Sequence, residues 1–293
     1  MTVWFNDIGK SKLEDGYKVD RVERISKGMY IPSNVQIQFS KENYRKIFPK
    51  AIDEIKQVRD AKGIFFVDPY GYKIIKPDDI RTMLEPGSTE VLLWLPTPQM
   101  YRYAEAVFAN DFSGSDPLRE FLKELFGNSI PNFNSDYDFI EQLKGRFRAY
   151  LKDLNVFVDT FTLQRDAANT YCLFFFTRNI KGYEKMVATK WDLDTEHGKG
   201  FALEKTLTFF SEIELSEYPK KLWAYIDSAD YRTNSELFLY GLENGFLPKH
   251  TKSVLDNWKK DSSNFEVVAL DNKPIRGYYI DNLERRVGFR VVK

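Results

Sequence analysis

The sequence predicts an α/β protein whose core is a parallel sheet with helices on both faces. Strand-like apolar segments alternate with helix-like segments through the first 95 residues, which is the pattern of a parallel sheet. One of these strands, residues 64–67, has four apolar residues in succession and is followed by Asp68, Pro69, Tyr70 and Gly71. An uninterrupted apolar run predicts a strand buried on both faces, so we expect it near the centre of the sheet.

The remaining elements follow in order along the chain. Four strands are predicted in the first 95 residues, at 2–5, 35–39, 64–67 and 89–95. Helices are predicted at 10–27 (interrupted near Gly16), at 40–59 and from residue 76. Segments 98–112, 116–126 and 135–154 predict a helical insertion at about 97–155. Residues 156–163 and 171–177 predict an antiparallel hairpin, and residues 180–191 a further helix.

The last ninety residues predict a second, smaller domain. Thr233 and Glu236 are spaced as a capping box at the start of a helix, and residues 249–260 predict another helix after a turn at 245–248. Short strands are predicted at 265–269 and 277–280. Two helices across a tight turn, followed by a hairpin, are typical of a winged helix-turn-helix. We therefore expect an α/β domain over residues 1–200, and a helical linker with a winged-helix-like domain over residues 201–293.

Composition excludes several classes of site. The 43 basic and 43 acidic residues cancel, so net charge gives no argument for a nucleic acid or a membrane partner. The single cysteine, Cys172, excludes an internal disulfide framework and a cysteine-based zinc site, and its apolar neighbours predict a core position. With only His197 and His250, a histidine metal site or a Ser-His-Asp triad is poorly supported. No apolar run is long enough to span a bilayer and no leader segment is evident, so we expect a cytoplasmic protein.

The first candidate binding site is the segment formed by Asp68, Pro69 and Tyr70. It follows a predicted strand, and ligands bind at the carboxyl ends of strands in open α/β sheets. The Asp68 carboxylate and the Pro69 carbonyl can accept hydrogen bonds from an amine, while the Tyr70 ring stacks on a flat heterocycle. This is the chemistry of the Asp-Pro-Pro-Tyr motif of amino-methyltransferases that act on adenine or cytosine, although the second proline is missing here. Taken alone, Asp-Pro-Tyr-Gly is also an ordinary β-turn sequence.

A second candidate site lies on the predicted helix 249–260. At 100° per residue, four lysines share a face of about 100°: Lys249, Lys252, Lys259 and Lys260. Val254, Leu255 and Trp258 lie on the opposite side. A basic face opposite an apolar face suits a helix laid against a nucleic-acid backbone, and it suits a solvated surface helix equally well. Winged helices also serve as protein-docking or purely structural modules, so these alternatives stay open.

Several motifs together resemble one family. The segments FFVDPYGYK, CLFFFTRNIKGYEKM, WDLD and TNSELFLYGLENGFLPKH occur in the same order and at similar spacing in the three-Cys-motif partner family. The resemblance covers nearly the whole chain. It implies a Rossmann-like sheet of the class I S-adenosylmethionine-dependent methyltransferase type. It also implies a partner, the three-Cys-motif protein encoded by a neighbouring gene.

The resemblance also implies residue roles. Asp7, at the end of the first predicted strand, would accept hydrogen bonds from the ribose hydroxyls of S-adenosylmethionine; its alternative is a turn or cap acid. Phe39 and Ser40 would flank the adenine; their alternatives are a core phenylalanine and a helix N-cap. Asp68 to Tyr70 would hold the acceptor amine. Arg178 would contact a phosphate, with a surface salt bridge as its alternative.

One departure from the family concerns the methyl-donor site. Family members begin with a first strand and a turn of the type Asp-Gly-Phe-Ala-Gly-Pro-Gly, and this sequence contains no such turn. Residues 3–7 are similar to the family's second strand, so the first strand, central in the order 3-2-1-4-5-7-6, is not found. Three explanations are open: an N-terminally shortened chain, a strand supplied by a partner, or a rearranged sheet. We expect this chain alone to bind S-adenosylmethionine weakly.

Two function classes therefore compete. The chain is a methyltransferase acting on an exocyclic amine of a base if further N-terminal sequence or a partner chain completes the donor site. Otherwise it is a non-catalytic component that binds nucleic acid or docks on a protein, of the kind found in mobile-element or phage-defence loci. The acceptor and the choice between DNA and RNA do not follow from the sequence.

Overall fold

The protein has a mixed α/β fold with a mixed sheet at its centre, which confirms the predicted α/β class. The computed structural model describes residues 1–10, 16–69, 75–108, 116–128, 131–166, 169–194, 200–202, 208–261, 263–270, 274–275, 277–281 and 286–292. Tyr70, Gly71 and His197 lie outside the described residues.

The first half alternates strands and helices as predicted. Its elements are β1 (Thr2–Asn6), α1 (Lys18–Ser26), β2 (Gln36–Ser40), α2 (Tyr44–Gln57), β3 (Gly63–Val67), α3 (Pro77–Leu84) and β4 (Thr89–Leu95). β1 and β2 pair in parallel as a separate two-stranded sheet. β3 pairs with β4 in parallel.

The middle of the chain adds four α-helices, a 3₁₀ turn, a long hairpin and a short strand. These elements are α4 (Thr97–Phe108), α5 (Asp116–Phe126), α6 (Asp136–Tyr150), a 3₁₀ turn (Lys152–Leu154), β5 (Phe157–Asp166), β6 (Asn169–Thr177), α7 (Ile180–Leu193) and β7 (Gly200–Ala202). β6 pairs antiparallel with both β4 and β5, which confirms the predicted hairpin. The resulting five-stranded sheet has the order β3-β4-β6-β5-β7.

The five-stranded sheet is covered differently on its two faces. On one face, the buried side chains of β4 and β6 pack against helices α2 to α6, with Phe147 of α6 in edge contact with Phe174 and Phe176. Cys172 is fully buried in this core, as expected. On the other face, α7 lies over β5, where the Lys190 ammonium donates to both carboxylate oxygens of Asp159, at 2.9 and 3.1 Å.

The prediction that β3 is a central strand buried on both faces is wrong for the described residues. β3 lies at the end of its sheet and pairs with β4 alone. Phe65 and Val67 pack against the core, whereas Ile64 and Phe66 are 68% and 65% exposed. The apolar run misled because, among the described residues, neither a helix nor another strand covers the second face and the outer edge of β3. Among the described residues no strand joins β1–β2 to β3, so a rearranged sheet that closes this gap is not observed there.

The C-terminal part forms a second core around a three-stranded antiparallel sheet. Its elements are α8 (Thr208–Asp227), β8 (Arg232–Thr233), α9 (Asn234–Glu243), α10 (Pro248–Asp261), β9 (Phe265–Ala269) and β10 (Val287–Val291), with the sheet order β8-β10-β9. The Thr233–Glu236 capping box is present. The strand predicted at 277–280 is wrong, because the partner of β9 is β10, eighteen residues after β9 ends. Tyr183 and Val187 of α7 belong to this second core.

None of the described helices is both long enough and apolar enough to cross a membrane.

Candidate functional site

The starts of α2 and α3, the helices that follow β2 and β3 along the chain, are joined by a hydrogen bond. Only residues 41–43 separate β2 from α2, and residues 58–62 connect α2 to β3. The Tyr44 hydroxyl, at the start of α2, donates to Asp79 in the first turn of α3. This bond ties the two helix starts together.

The Asp79 carboxylate joins the starts of α2 and α3 and was missed by sequence reasoning. It accepts hydrogen bonds from Tyr44, from the Arg45 guanidinium (Nη2–Oδ2 3.1 Å) and from the Lys76 amide at 2.8 Å. Burial and the neighbouring Asp79 carboxylate both raise the pKa of Tyr44 above its ordinary value, so Tyr44 stays protonated as the donor. The only available signal was Asp79 in the first turn of a helix, which predicts a cap and gives no hint of the Tyr44 contact.

Asp7 lies directly after β1, at the position predicted for a ribose-binding acid. Its Oδ1 accepts a hydrogen bond from the Gly9 amide at 2.5 Å, and its Oδ2 is 4.0 Å from the Lys18 ammonium. The first contact is that of a turn acid, the alternative that the sequence left open. The Asp7 side chain is 44% exposed, so it is partly accessible to a ligand.

Phe39 and Ser40 form the last two residues of β2. The Phe39 ring stacks on Phe5 of β1, with centroids 5.8 Å apart and 15° between the planes. Ser40 Oγ accepts from the Trp4 indole and donates to Asn6 Oδ1, both at 2.8 Å. Ser40 is therefore not the helix N-cap that was its alternative role. That position is held by Asn43, whose side chain accepts from the Arg45 amide.

Asp68 and Pro69 follow β3, and their surroundings differ. Asp68 is exposed, whereas Pro69 is buried. The predicted stacking role of Tyr70 falls on a residue outside the described ones. The central-strand argument for this site no longer holds, because β3 ends its sheet. What remains is an exposed carboxylate at the carboxyl end of a strand.

An aromatic residue that the sequence analysis did not single out lies beside Asp68 in the strand register, and it stacks on a second one. Val67 is in register with Leu93, so Asp68 and Trp94 are the next residues on neighbouring strands. The Trp94 ring stacks on Tyr171 at the start of β6, with centroids 5.6 Å apart and 10° between the planes. Both rings are half-buried. A single sequence gives no signal for this pair, because it requires the antiparallel register of β4 with β6.

Arg178 does not join this site. It follows the last residue of β6, which pairs with the start of β4, and so it lies at the opposite, amino edge of the sheet. Its guanidinium donates to the Glu85 carbonyl at 3.1 Å, at the end of α3. The contact observed is a helix C-terminal cap, and neither the predicted phosphate contact nor the predicted salt bridge accounts for it.

The lysine face of α10 is present but less basic than the sequence indicated. Lys249, Lys259 and Lys260 are exposed. The Lys252 ammonium is 2.5 Å from Asp256 Oδ2, and Asp256 also accepts a hydrogen bond from the Tyr278 hydroxyl at 2.6 Å. Asp256 lies on the same helix face, one turn after Lys252, and was overlooked in the angular analysis. The accessible charge therefore comes mainly from the other three lysines.

The described residues contain no group of three or more His, Cys, Asp or Glu side chains that could hold a metal ion. No family model, no curated protein and no solved structure matches this chain.

Proposed function

We propose that the chain is a methyltransferase-like protein of the three-Cys-motif partner type, whose carboxyl edge receives S-adenosylmethionine and an exocyclic amine of a nucleic-acid base. The supporting observation is the order and direction of the strands. The spatial order β3-β4-β6-β5 corresponds to strands 4-5-7-6 of a class I methyltransferase. In both, the first two strands are parallel and the third strand is antiparallel to its two neighbours. The parallel pair of β1 and β2 corresponds to strands 2 and 3.

The same comparison explains the separation of the two sheets. In this order one strand stands between β1 and β3, and among the described residues both strands have an edge without a partner. An unpaired edge exposes backbone donors and acceptors that another strand can satisfy. The proposal therefore includes a completing strand, supplied by further sequence or by a partner chain such as a three-Cys-motif protein.

Methyl transfer to an amine requires few catalytic side chains. Transfer of a methyl group to an amine needs alignment of the nitrogen with the donor methyl, and acceptors that stabilise the positive charge developing on that nitrogen. The Asp68 carboxylate and the Pro69 carbonyl provide such acceptors. Asp7, whose side chain is partly exposed, is suited to the ribose hydroxyls of the donor.

Calorimetry with S-adenosylmethionine tests this proposal. We expect weak or no binding by the present chain, and micromolar binding by a version extended upstream or mixed with its partner. Asp7→Asn should weaken the binding of the completed protein, since a neutral amide is a poorer acceptor for the ribose hydroxyls. Asp53→Asn, which changes an exposed acid of α2, is the matched control. Absence of binding by every completed form contradicts the proposal.

A second candidate function, nucleic-acid binding, is favoured by the C-terminal part. The order α8, β8, α9, α10, β9, β10, with the sheet order β8-β10-β9, is that expected of a winged helix-turn-helix. In such a module the second helix of the pair, here α10, contacts nucleic acid. The exposed Lys249, Lys259 and Lys260 support this role.

Charge reversal on α10 tests the second candidate. Lys249→Glu with Lys259→Glu should weaken binding to a labelled duplex strongly and reduce the magnitude of the slope of log affinity against log salt by about 2. Lys123→Glu with Lys185→Glu, which reverses two exposed lysines on α5 and α7, should leave binding nearly unchanged. Equal loss in both double variants indicates non-specific attraction. No binding by the parent protein to any DNA or RNA favours the protein-docking alternative.

A further inference from the structure

The stacked pair Trp94–Tyr171 stands at the carboxyl edge of the sheet, on the face opposite the main core. β4 alternates between its faces, and Val91, Leu93 and Leu95 are buried in that core. Leu92 and Trp94 therefore point to the other face, as do Ile64 and Phe66 in the register of β3. Asp68 is the first residue after β3, two positions after Phe66, so it falls on the same face, and it is exposed like Ile64 and Phe66. The acid and the two rings thus lie on the same face of the sheet.

The cover over this face is uneven. α7 lies over β5, where Lys190 reaches Asp159, and the covered part extends to Phe175 of β6, which is 6% exposed. Toward β3 the face opens, with Ile64 at 68% and Phe66 at 65% exposed. Trp94 and Tyr171 lie between these two parts and keep some accessible ring surface. A flat ligand could therefore approach them from the side of β3.

The planes of the two stacked rings are nearly parallel, with an angle of 10° between them, so a third planar ring can extend the stack. Stacking is tolerant of sequence because every base has a π face, whereas the neighbouring carboxylate selects a ring that bears a donor. Adenine and cytosine carry an exocyclic amine, and uracil and thymine do not.

We propose that Trp94 and Tyr171 form a stacking platform for an unpaired base that bears an exocyclic amine, with the Asp68 carboxylate accepting a hydrogen bond from that amine. The inference rests on the proposed function in taking the acceptor to be a base, and it adds the residues that hold the base. The base must be unpaired, because its amine and its ring face are occupied within a duplex.

The test compares two single-stranded probes of equal length, an oligoadenylate and an abasic strand with the same number of phosphates, by fluorescence anisotropy without methyl donor. The parent protein should bind the oligoadenylate more tightly. Trp94→Leu and Tyr171→Leu should each weaken that binding at least about fivefold and leave binding of the abasic strand unchanged.

Tyr171→Phe and Trp94→Phe should retain binding of the oligoadenylate, since both keep a ring, and these variants serve if the leucine substitutions do not fold. Tyr225→Leu, which removes one ring of the stacked pair Tyr225–Tyr240 in the C-terminal part, is the matched control.

The outcomes separate the platform from the proposed function. Equal affinity of the parent protein for both probes, or equal losses for both probes in the leucine variants, overturns the platform. Methyl transfer by a completed protein that is unaffected by Tyr171→Leu also overturns it, while leaving the proposed function intact. Base-dependent binding that requires both rings supports the platform, and it does so even if no form of the protein binds S-adenosylmethionine.

Discussion

The two ends of one sheet face contain aspartates in opposite surroundings. At the β5 end, Asp159 lies beneath α7, is 4% exposed and is bonded through both oxygens to Lys190. At the β3 end, Asp68 has no helix over it among the described residues and is exposed. A buried carboxylate must be paired to remain charged, whereas an exposed one need not be. Asp159 therefore stabilises the fold, and Asp68 is available for binding.

The electrostatics of Asp159 agree with this difference. Burial alone would raise its pKa, but the charges of Lys190 and Lys144 and hydrogen bonds from Lys190 and the Thr160 amide outweigh burial and hold the pKa below its ordinary value. Asp159 is thus ionised at neutral pH. The stability that it contributes is present above the ordinary carboxyl pKa of about 4 and is lost as the pH falls through its lower, folded-state value.

Breaking the buried pair should have the largest effect on the covered end. Lys190→Met leaves the buried Asp159 carboxyl group without its ion-pair partner, and we expect the free energy of unfolding to fall by about 3–5 kcal/mol. Urea denaturation followed by circular dichroism measures this change. The double variant Asp159→Leu with Lys190→Met should recover much of the loss, because it removes both charges.

Lys181→Met provides the control on the same helix, since the Lys181–Glu184 pair at 2.9 Å is largely exposed on the lysine side. Its expected loss is at most about 1 kcal/mol. A similar loss for Lys190→Met and Lys181→Met would contradict the assignment of the Asp159 pair to the fold.

The phenylalanines offer a second comparison between covered and open surfaces of the same sheet. Phe176→Ala removes a fully buried ring and should lower the free energy of unfolding by about 3–5 kcal/mol. Phe66→Ala removes a ring that is 65% exposed and should change it by no more than about 0.5 kcal/mol. The two substitutions are chemically identical, so thermal or urea unfolding isolates the effect of cover. A large loss for Phe66→Ala would mean that the β3 face is packed.

Local patterns predicted most of the elements because those elements depend on neighbouring residues. The helix over Asp116–Phe126, the strand Phe265–Ala269 and the capping box of Thr233 with Glu236 were all found from spacing. The exposure of Ile64 and Phe66 could not be found in this way, since a continuous apolar run does not reveal whether anything covers its second face. The strand Val287–Val291 was missed because its pairing with β9 crosses a long connection.

The candidate site was predicted only in part, for a similar reason. Asp7 and Asp68 could be placed because each follows a strand directly. The Tyr44–Asp79 bond and the Trp94–Tyr171 stack join residues that are 35 and more positions apart, and only the packing of helices and the strand register bring them together. Arg178 was misplaced because a residue after a strand lies at the other edge when the strand is antiparallel.

The contact between the end of α7 and the start of α10 extends the comparison to a half-buried group that is neutral. His250 lies 4.3 Å from the Trp191 ring, measured between ring centroids, and burial together with the charge of Lys249 lowers its pKa to about 4. The unfolded chain takes up a proton near the ordinary value of 6.5, whereas the folded chain does not. Stability should therefore fall as the pH is lowered from about 6.5 to about 4.

Urea unfolding over this pH range, for the parent protein and His250→Gln, measures the contribution of His250. The variant should show a smaller loss between the two pH values, because its side chain does not titrate. Identical pH profiles for the two proteins would indicate that His250 is solvated in the folded state.

The smallest expected change in stability is at Asp68, at the β3 end of the sheet, and it is measured together with nucleic-acid binding. Asp68→Ala should alter the free energy of unfolding by no more than about 0.5 kcal/mol, because the carboxylate is exposed. If Asp68 served only the local turn, the loss of its hydrogen bonds would lower stability by about 1 kcal/mol and leave binding unchanged. If it accepts the amine of a base, preference for an oligoadenylate over an oligothymidylate should disappear while stability is retained. Asp68→Asn sharpens the test: the amide keeps one acceptor oxygen but no charge, so it should retain part of that preference. A full preference in both variants would remove Asp68 from the site and leave the stacking rings alone as the recognition element.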